Sequence, residues 1–522
     1  MSRALTRLAL GLVAGFAAGL VPGLAPAGPV EPTTAARGPV APASPAPARG
    51  QDAGGGTGDP GASSTATGPA TGEGAVAPGP LRVACLGDSI TFGSAMGEGV
   101  DRRLAAWPAQ LGAMLGDGHE VRNFGVGGTT LLRAADAPYV GTDAWREALA
   151  WAPDLAVVLL GTNDSCAGPA RDNWQHAADL AEDAAALAEE LLEAGVRRVL
   201  LCGPTAMQVD HPGLSEARIA DLTARAPHLD EVRAALVEVA ASRPAVEALD
   251  LGRVLRPGQT TDGVHPTPFG AEAIALVLVR VLAPARGQDP ALLARPSVEY
   301  RGHAAGWGGG TWTDQVERMV ATARVHPDVE LVFLGDSITQ GLTGSAERMT
   351  RPDGTRAIDR AFGDLVTLDL GLSGDRTEHA LWRIEHGALA QVDPRVIVVQ
   401  LGANNLNAAG HSASQTLRGL DAILASLARQ EPRARVVLCG PFPLGTSPEE
   451  ERRHRAVAVH EALPALAERH PGVRYLDLWP LFLDEEGAAK DTLAADGIHV
   501  TAAGRAAWMG ALEPLVRELL AE

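Results

Sequence analysis

An internal repeat constrains the fold of this chain more than any other feature of its sequence. The string CLGDSITFG at 85–93 returns almost unchanged as FLGDSITQG at 333–341. Each string begins within a short apolar run that ends in glycine, LRVACLG at 81–87 and ELVFLG at 330–335. The repeat therefore predicts that two parts of the chain fold in the same way.

Further apolar runs follow each copy of the repeat in the same order. They are DLAVVLLG (154–161), RRVLLCG (197–203) and AVEALDL (245–251) after the first copy, and RVIVVQLG (395–402), ARVVLCG (434–440) and VRYLDL (473–478) after the second. Helical stretches rich in Ala, Leu and Glu, such as 174–195 and 411–430, separate these runs. Apolar strands that alternate with helices are typical of a parallel sheet covered on both faces. We therefore predict two α/β sandwich domains formed by tandem duplication, a first block at 81–286 and a second block at 312–522.

The N-terminal residues 1–27 have the pattern of an export signal. Arg3 and Arg7 give a positive start, an apolar run follows at 8–25, and small residues in an A-x-A pattern then mark a cleavage site. We therefore predict that the protein is exported, so that it is secreted, periplasmic or held at the cell surface. An uncleaved membrane anchor is the alternative, because the apolar run is at the short limit for a bilayer span.

Two other segments lack the pattern of a folded domain. Residues 28–80 consist of Pro, Ala, Gly, Ser and Thr with hardly an apolar side chain to bury, which predicts a disordered linker. Residues 287–311 lose the periodicity of the neighbouring blocks, which predicts a second linker.

Composition and charge limit the classes of partner that the chain is expected to bind. A net charge of −19 over 522 residues, with no run of Lys and Arg, argues against a nucleic acid partner. No segment after the signal is long and apolar enough for a membrane span, so none is expected once the signal is cleaved. Four cysteines do not form a disulfide framework in a chain of this size. Cys85, Cys202 and Cys439 lie in apolar runs and are predicted to be buried, whereas the state of Cys166 stays open.

Ser89 and Ser337 occupy matching places in the repeat, directly after a predicted strand. Ligands of parallel α/β folds bind at the carboxyl ends of the strands, so both serines are placed where chemistry occurs. A serine hydroxyl needs a base to remove its proton and donors to stabilise the oxyanion that forms on attack. An isolated Asp-Ser pair after a strand is more typical of a helix N-cap, so the function of these serines depends on the rest of each block.

A carboxylate and an imidazole are repeated near the end of each block. They are Asp262 and His265 in DGVH, and Asp496 and His499 in DGIH. A carboxylate three residues before a histidine, across a turn that contains glycine, can accept from one ring N–H and fix the tautomer. The other ring nitrogen is then available to deprotonate a serine. Two copies in register with two serines favour this catalytic interpretation over structural histidines.

Oxyanion donors are repeated as well. NFGVGG ends in Gly128 and its counterpart DLGLSG ends in Gly374, and glycine lets a backbone N–H approach an oxyanion without a side chain in the way. GTND at 161–164 and GANN at 402–405 follow the next predicted strand, and they present the side-chain amides of Asn163 and Asn404 as donors.

The motifs GDSIT, N-x-G-x-x-G, G-x-N-D and D-x-x-H, in this order, closely resemble the four blocks of the SGNH hydrolases, also called GDSL esterases or lipases. The resemblance covers both blocks of the chain nearly end to end. It implies that Ser89 and Ser337 are nucleophiles, that Asp262 with His265 and Asp496 with His499 complete the triads, and that Gly128, Asn163, Gly374 and Asn404 join the serine N–H groups in the oxyanion holes. It also implies flavodoxin-like α/β/α sandwiches with parallel sheets, and neither a metal ion nor an organic cofactor.

The two blocks resemble different branches of that family. The second block, with GANN and DLGLSGDRTEHALWRIEHGAL at 369–389, is similar to the platelet-activating-factor acetylhydrolase-like branch, in which Asn405 is usual. The first block is more similar to bacterial acylesterases and thioesterases. Asp369 stands where Asn123 stands in the first block, which departs from the family pattern and leaves the support of the local loop in question.

The resemblance implies an exported two-domain serine esterase that works through an acyl-enzyme. Short acyl groups, such as O-acetyl on carbohydrates, are the expected targets, so the expected partner is a small-molecule or glycan ester. One alternative is a lipase, lysophospholipase or thioesterase acting on longer acyl chains. The other is one catalytic domain with a second block that has become a binding module.

Overall fold

A computed structural model describes residues 80–97, 99–298, 310–344 and 347–522. The predicted export signal at 1–27, and the predicted linker at 28–80 except for its last residue, lie outside these described residues. A search of the described residues finds no helix with the length and apolar character needed to cross a membrane.

The strands of the first block are β1 Leu81–Gly87, β2 His119–Gly125, β3 Leu155–Leu159, the hairpin strands β4 Ala167–Gly168 and β5 Arg171–Asp172, β6 Arg198–Gly203 and β7 Val246–Asp250. Four of them, β1, β3, β6 and β7, lie where the apolar runs predict them, and the three others lie outside those runs. The long strands form one parallel sheet in the order β2-β1-β3-β6-β7, and β4 and β5 form a separate antiparallel pair.

The second block repeats this arrangement. Its strands are β8 Leu331–Gly335, β9 Thr367–Gly371, β10 Val396–Gln400, β11 Arg435–Leu438 and β12 Val473–Tyr475. They form a second parallel sheet in the order β9-β8-β10-β11-β12. Strand order 2-1-3-4-5 with parallel strands is that of flavodoxin-like folds. The prediction of two such sheets is confirmed.

Helices connect the strands and cover both faces of each sheet. In the first block they are α1 Ser89–Phe92, α2 Arg102–Ala105, α3 Trp107–Leu115, α4 Asp143–Ala150, α5 Leu180–Glu193, α6 Glu216–Ala241, α7 Pro268–Leu282 and α8 Pro284–Gly287. In the second block they are α9 Trp312–Val325, α10 Ser337–Gln340, α11 Ala357–Phe362, α12 Thr377–Glu385, α13 Ala403–Asn407, α14 Ala413–Gln430, α15 Glu451–His460, α16 Leu463–Glu468 and α17 Ala502–Ala521.

Successive strand residues point to opposite faces, so each sheet has two apolar cores. In β1, Val83 and Cys85 pack into one core with α3 and α7, and Ala84 and Leu86 pack into the other with α4, α5 and α6. The second sheet is covered in the same way. Cys85, Cys202 and Cys439 are free and buried, as predicted, and Cys166 is a free, half-buried thiol.

Four buried charged side chains join the two blocks, and we call them the inter-block ion cluster. They are Glu272 of α7, Arg295 between the blocks, Arg376 directly before α12, and Glu378 of α12. Arg376 Nη2 donates to Glu272 Oε1 at 2.7 Å, and Arg376 Nε lies 3.2 Å from Glu378 Oε1. Arg295 Nη2 contacts both carboxylates. Burial alone would raise the pKa of Glu272, but the guanidinium groups of Arg376 and Arg295 outweigh burial and lower it. The cluster therefore stays ionised and internally paired.

The first part of the predicted second linker, 287–298, contributes to this junction. It contains a 3₁₀ turn at Pro290–Leu292, and Asp289 accepts from Arg418 Nε of α14 at 2.7 Å. The carbonyl of Ala291 accepts from Thr377 Oγ1 at 3.3 Å. The segment packs against residues that are distant in sequence, which is why its lack of local periodicity did not indicate these contacts.

We predict that Glu272→Ala destabilises the folded protein by about 3–5 kcal/mol, because it leaves two buried guanidinium groups facing one carboxylate. Urea unfolding measures the effect. The matched control is Glu120→Ala, which breaks an exposed ion pair with Arg122 and should cost no more than about 1 kcal/mol. Equal effects of the two substitutions would contradict the role of the cluster.

Candidate active site

The first site forms where β1 ends and α1 begins. Ser89 is the first residue of α1, and its Oγ lies 2.9 Å from His265 Nε2. His265 Nδ1 lies 2.8 Å from Asp262 Oδ2. An ionised carboxylate only accepts hydrogen bonds, so Nδ1 carries the ring proton and Nε2 accepts from the serine hydroxyl. The structure thus brings Ser89, near the start of the first block, into contact with the Asp262–His265 pair near its end.

One carboxylate orders both the D-x-x-H turn and the imidazole. Asp262 Oδ1 accepts from the backbone N–H groups of Val264 at 3.0 Å and His265 at 2.8 Å, while Oδ2 contacts the ring. Burial opposes ionisation of Asp262, but the hydrogen bonds from His265 and the backbone outweigh it and hold its pKa below the usual range. The negative charge that stabilises a protonated His265 is therefore maintained.

Gly128 and Asn163 lie beside Ser89. Gly128 has φ +83°, in the left-handed region that glycine adopts without strain. A Cβ added to the preceding residue, Gly127, would lie 3.9 Å from Ser89 Cβ, so this loop borders the serine. Asn163 Nδ2 donates to the carbonyl of Thr129 at 2.9 Å, which ties the amide to the same loop. The predicted oxyanion donors of the first site therefore lie together.

Arg171, on the short β4–β5 hairpin, also contacts this site and was not predicted from the sequence. Its Nη1 donates to Asn163 Oδ1 at 2.9 Å, and its Nη2 donates to the carbonyl of Gly128 at 2.5 Å. Two further bonds to Asp136, at 2.7 and 2.9 Å, hold the guanidinium in place. A guanidinium only donates, so the amide oxygen of Asn163 must face Arg171, and its NH₂ group then faces the Thr129 carbonyl and Asp88 Oδ2, next to Ser89. No local pattern distinguishes this arginine from other surface arginines.

The second site has the same relay. Ser337 Oγ lies 2.9 Å from His499 Nε2, and His499 Nδ1 lies 2.6 Å from Asp496 Oδ2. Asp496 Oδ1 also accepts from the N–H groups of Ile498 and His499. The His499 side chain is 48 % exposed, against 21 % for His265, so solvent reaches the second relay more freely.

The two predicted oxyanion donors of the second site, Gly374 and Asn404, also lie together. Gly374 has φ +86°, which matches the backbone of Gly128. Asn404 Nδ2 donates to the carbonyl of Asp375 at 2.9 Å, as Asn163 does to the residue after Gly128. All ten predicted site residues therefore form two sets of five, one in each block.

Asp369 keeps one of the two hydrogen bonds that Asn123 makes. Asn123 Oδ1 accepts from Gly125 N at 2.9 Å, and Asp369 Oδ1 accepts from Gly371 N at 2.7 Å. Asn123 Nδ2 donates to a backbone carbonyl, whereas Asp369 Oδ2 instead accepts from Thr343 Oγ1 at 2.6 Å. A changed neighbour thus accommodates the carboxylate, and the turn that it supports is retained.

Asp164 and Asn405 are the last residues of GTND and GANN. They bind the segments that follow Gly128 and Gly374, which we call the oxyanion loops. Asp164 accepts from the N–H groups of Leu131 and Leu132 at 3.1 and 2.8 Å. Asn405 Oδ1 accepts from Thr377 N at 2.9 Å, and its Nδ2 donates to Glu378 Oε2 at 3.0 Å. An amide suits the second block because a carboxylate there would face the buried carboxylate of Glu378.

The aspartates of the two GDS strings are buried caps rather than members of the relays. Asp88 Oδ1 accepts from Ile90 N, and Asp336 Oδ1 accepts from Ile338 N, each at 2.9 Å. Burial raises the pKa of each carboxyl to about 7, although these N–H groups work in the opposite direction. Both carboxyls organise the turn that presents the serine at the first position of its helix.

Comparison with known proteins gives concordant results. Residues 85–273 and 333–507 match the model of the GDSL-like lipase/acylhydrolase family. The chain is 33 % identical over 215 residues to platelet-activating factor acetylhydrolase IB subunit alpha1 of Homo sapiens, which is 41 % of this chain and 87 % of that protein. It is 32 % identical over 224 residues to an acetylxylan esterase of Xylanibacter ruminicola, which is 39 % of this chain and 43 % of that protein. A carbohydrate acetylesterase structure from Sinorhizobium meliloti matches with a TM-score of 0.32 and 17 % identity, covering 39 % of this chain and 99 % of that chain.

We predict that Arg171 is a positioning residue for the first site. In a Ser337→Ala background, which isolates that site, Arg171→Met should lower kcat for p-nitrophenyl acetate about 10- to 100-fold, because Asn163 and Gly128 lose their alignment. KM and the urea midpoint should change little, and Arg171→Lys should restore only part of kcat because it cannot hold both partners at once.

The matched control is Arg197→Met, which removes an exposed arginine paired with Asp154 elsewhere in the first block. It should leave kcat unchanged. If Arg171→Met lowers the urea midpoint and kcat together, and Arg171→Lys restores both fully, Arg171 has a general structural role instead.

Proposed function

The chain belongs to the GDSL-like lipase/acylhydrolase family and is a carboxylic ester hydrolase, and from this premise we propose that each block contains one serine esterase site that removes short acyl groups from carbohydrates. The single observation that carries this proposal is the complete Ser–His–Asp relay in each block, with the Oγ–Nε2 distance at 2.9 Å in both.

In the first site, Ser89 Oγ attacks the carbonyl carbon of the ester while His265 Nε2 accepts the hydroxyl proton. Asp262 stabilises the imidazolium that forms. The Ser89 N–H, the Gly128 N–H and the Asn163 amide donate to the oxyanion of the tetrahedral intermediate. His265 then gives its proton to the leaving alcohol, and the acyl-enzyme is hydrolysed by a water that the same imidazole deprotonates.

The second site follows the same steps with Ser337, His499 and Asp496, and with Gly374 and Asn404 as donors. Its serine–histidine distance equals that of the first site, at 2.9 Å, and its histidine–aspartate distance is shorter, 2.6 Å against 2.8 Å. This geometry favours two working sites over the alternative of a second block that only binds.

The names of two relatives support a proposal for the acyl group. Platelet-activating factor acetylhydrolase and acetylxylan esterase are both named for an acetyl group. We therefore propose acetyl as the preferred acyl group and an acetylated carbohydrate as the substrate, with longer-chain lipase or thioesterase activity as the alternative that the assay must separate.

We predict that Ser89→Ala and Ser337→Ala each lower the rate of p-nitrophenyl acetate hydrolysis, and that the double variant loses about 10⁴- to 10⁶-fold. The rate ratio of acetate to octanoate ester, together with acetate release from acetylated xylo-oligosaccharides, then separates an acetylesterase from a lipase. Full activity of the double variant would rule out both serines. If Ser337→Ala changes the rate on no acyl ester, the second block is a binding module.

We also propose that the protein is exported through residues 1–27. The prediction is that the protein recovered from the medium or periplasm of a bacterial host begins after Ala27, which N-terminal sequencing measures. Recovery of the uncleaved chain with the membrane fraction would favour the anchor instead.

A further inference from the structure

A cleft of about 780 Å³ lies between the two blocks and is lined by residues of both. On the first block its wall includes Gln259, three residues before Asp262, and Phe269 at the start of α7. On the second block its wall includes Gly374, the proposed oxyanion donor of Ser337. The volume is that of a site for a small molecule or a few sugar units.

The inter-block ion cluster holds the two walls of this cleft together. Glu272 and Arg376 both line the cleft, and they belong to opposite blocks. Their 2.7 Å hydrogen bond is buried, with the two side chains 7 % and 9 % exposed. Arg376 lies two residues after Gly374, so the first block helps to position the oxyanion loop of the second site. The cleft is therefore a preformed feature of the described structure.

The uncompensated charge in the cleft is positive, although the chain as a whole is strongly acidic. Arg253 and Arg256 line the cleft and are exposed, and neither guanidinium forms a hydrogen bond or ion pair with any other described residue. Two carboxylates also line it. Glu272 is paired within the ion cluster. Asp250 lies 3.6 Å from Arg233, which also pairs with Asp230, so one partly paired carboxylate faces the two free guanidinium groups. Two guanidinium groups thus remain available to bind an anion.

An aromatic ring completes the cleft. Phe269 is 46 % exposed, and it is the aromatic member of the large exposed hydrophobic residues in the described part of the chain. Its ring is a flat apolar surface that suits the C–H face of a pyranose. Free guanidinium groups beside it match carboxylates, to which arginine donates two parallel hydrogen bonds.

We propose that this cleft binds the alcohol part of the ester cleaved by Ser337, and that this alcohol is a carbohydrate chain carrying carboxylate groups. The inference rests on the proposed function of the second site. Ser337 Oγ bonds to the acyl carbon while its proton passes to His499, and His499 gives that proton to the sugar oxygen as the acyl C–O bond breaks. The sugar chain stays bound by Arg253, Arg256 and Phe269 until it dissociates. Water then releases the acid from the acyl-enzyme.

The test uses the full chain with Ser89→Ala, which isolates the second site. The substrates are O-acetylated oligogalacturonides, which carry carboxylates, and O-acetylated xylo-oligosaccharides, which carry none. The ratio of kcat/KM for the acidic over the neutral substrate should exceed one. It should fall at least 10-fold in Arg253→Gln/Arg256→Gln through a higher KM, because bonds from arginine to carboxylates are charge-assisted. The matched control, Arg146→Gln/Arg197→Gln, removes the same charge outside the cleft and should leave the ratio unchanged.

A binding measurement distinguishes a wrong cleft proposal from a wrong catalytic assignment of the second site. Calorimetry with Ser89→Ala/Ser337→Ala protein and deacetylated oligogalacturonide should show binding that the Arg253→Gln/Arg256→Gln pair weakens at least 10-fold. Binding without turnover would retain the cleft and reject the second catalytic site. No binding, or equal use of both sugars, would overturn the cleft proposal. Binding of lysophosphatidylcholine micelles that the Arg253→Gln/Arg256→Gln pair weakens, with no binding of oligogalacturonide, would assign the cleft to a phospholipid headgroup and also overturn it.

Discussion

Parallel strand pairing is the constraint on which the rest of this structure depends. In a parallel sheet every strand ends at the same edge, so loops that are far apart in sequence meet there. The serine follows the first strand of its block, the oxyanion glycine follows the second, the asparagine follows the third, and the Asp–His turn follows the last. Each relay is assembled by this shared edge, and the apolar cores on the two faces hold the edge in place.

Buried ion pairs also link the two blocks, so that a side chain of the first block contacts the surroundings of the second site. Glu272 belongs to the helix that follows His265, and it binds Arg376, close to the oxyanion glycine of the second site. Such pairs contribute little net stability relative to apolar packing, yet the loss of one partner is costly. The ion cluster therefore fixes how the blocks meet, and it makes the loop of the second site dependent on the first block.

The two sites show how one reaction geometry can rest on different supports. In the first, Arg171 on a hairpin orients Asn163 from outside the sheet. In the second, Asn405 braces the oxyanion loop and donates to Glu378, so its support comes from the junction between the blocks. The second relay is also the more exposed. These differences lie around the reacting groups and leave the Ser–His–Asp geometry of the two sites alike.

Local sequence patterns were enough to predict the two parallel sheets and to name two sets of five residues that the structure brings together, because apolar runs, their alternation with helices and the spacing of short motifs can be read without the tertiary contacts. The sequence also indicated that Asp369 departs from its counterpart, but not that Thr343 compensates for the change. The contacts of Arg171, the ordered path of 287–298, the ion cluster and the cleft beside Gly374 are seen only in the folded chain. These features depend on contacts between side chains that are distant in sequence, and an arginine or glutamate in such a contact has the same local pattern as one on the surface.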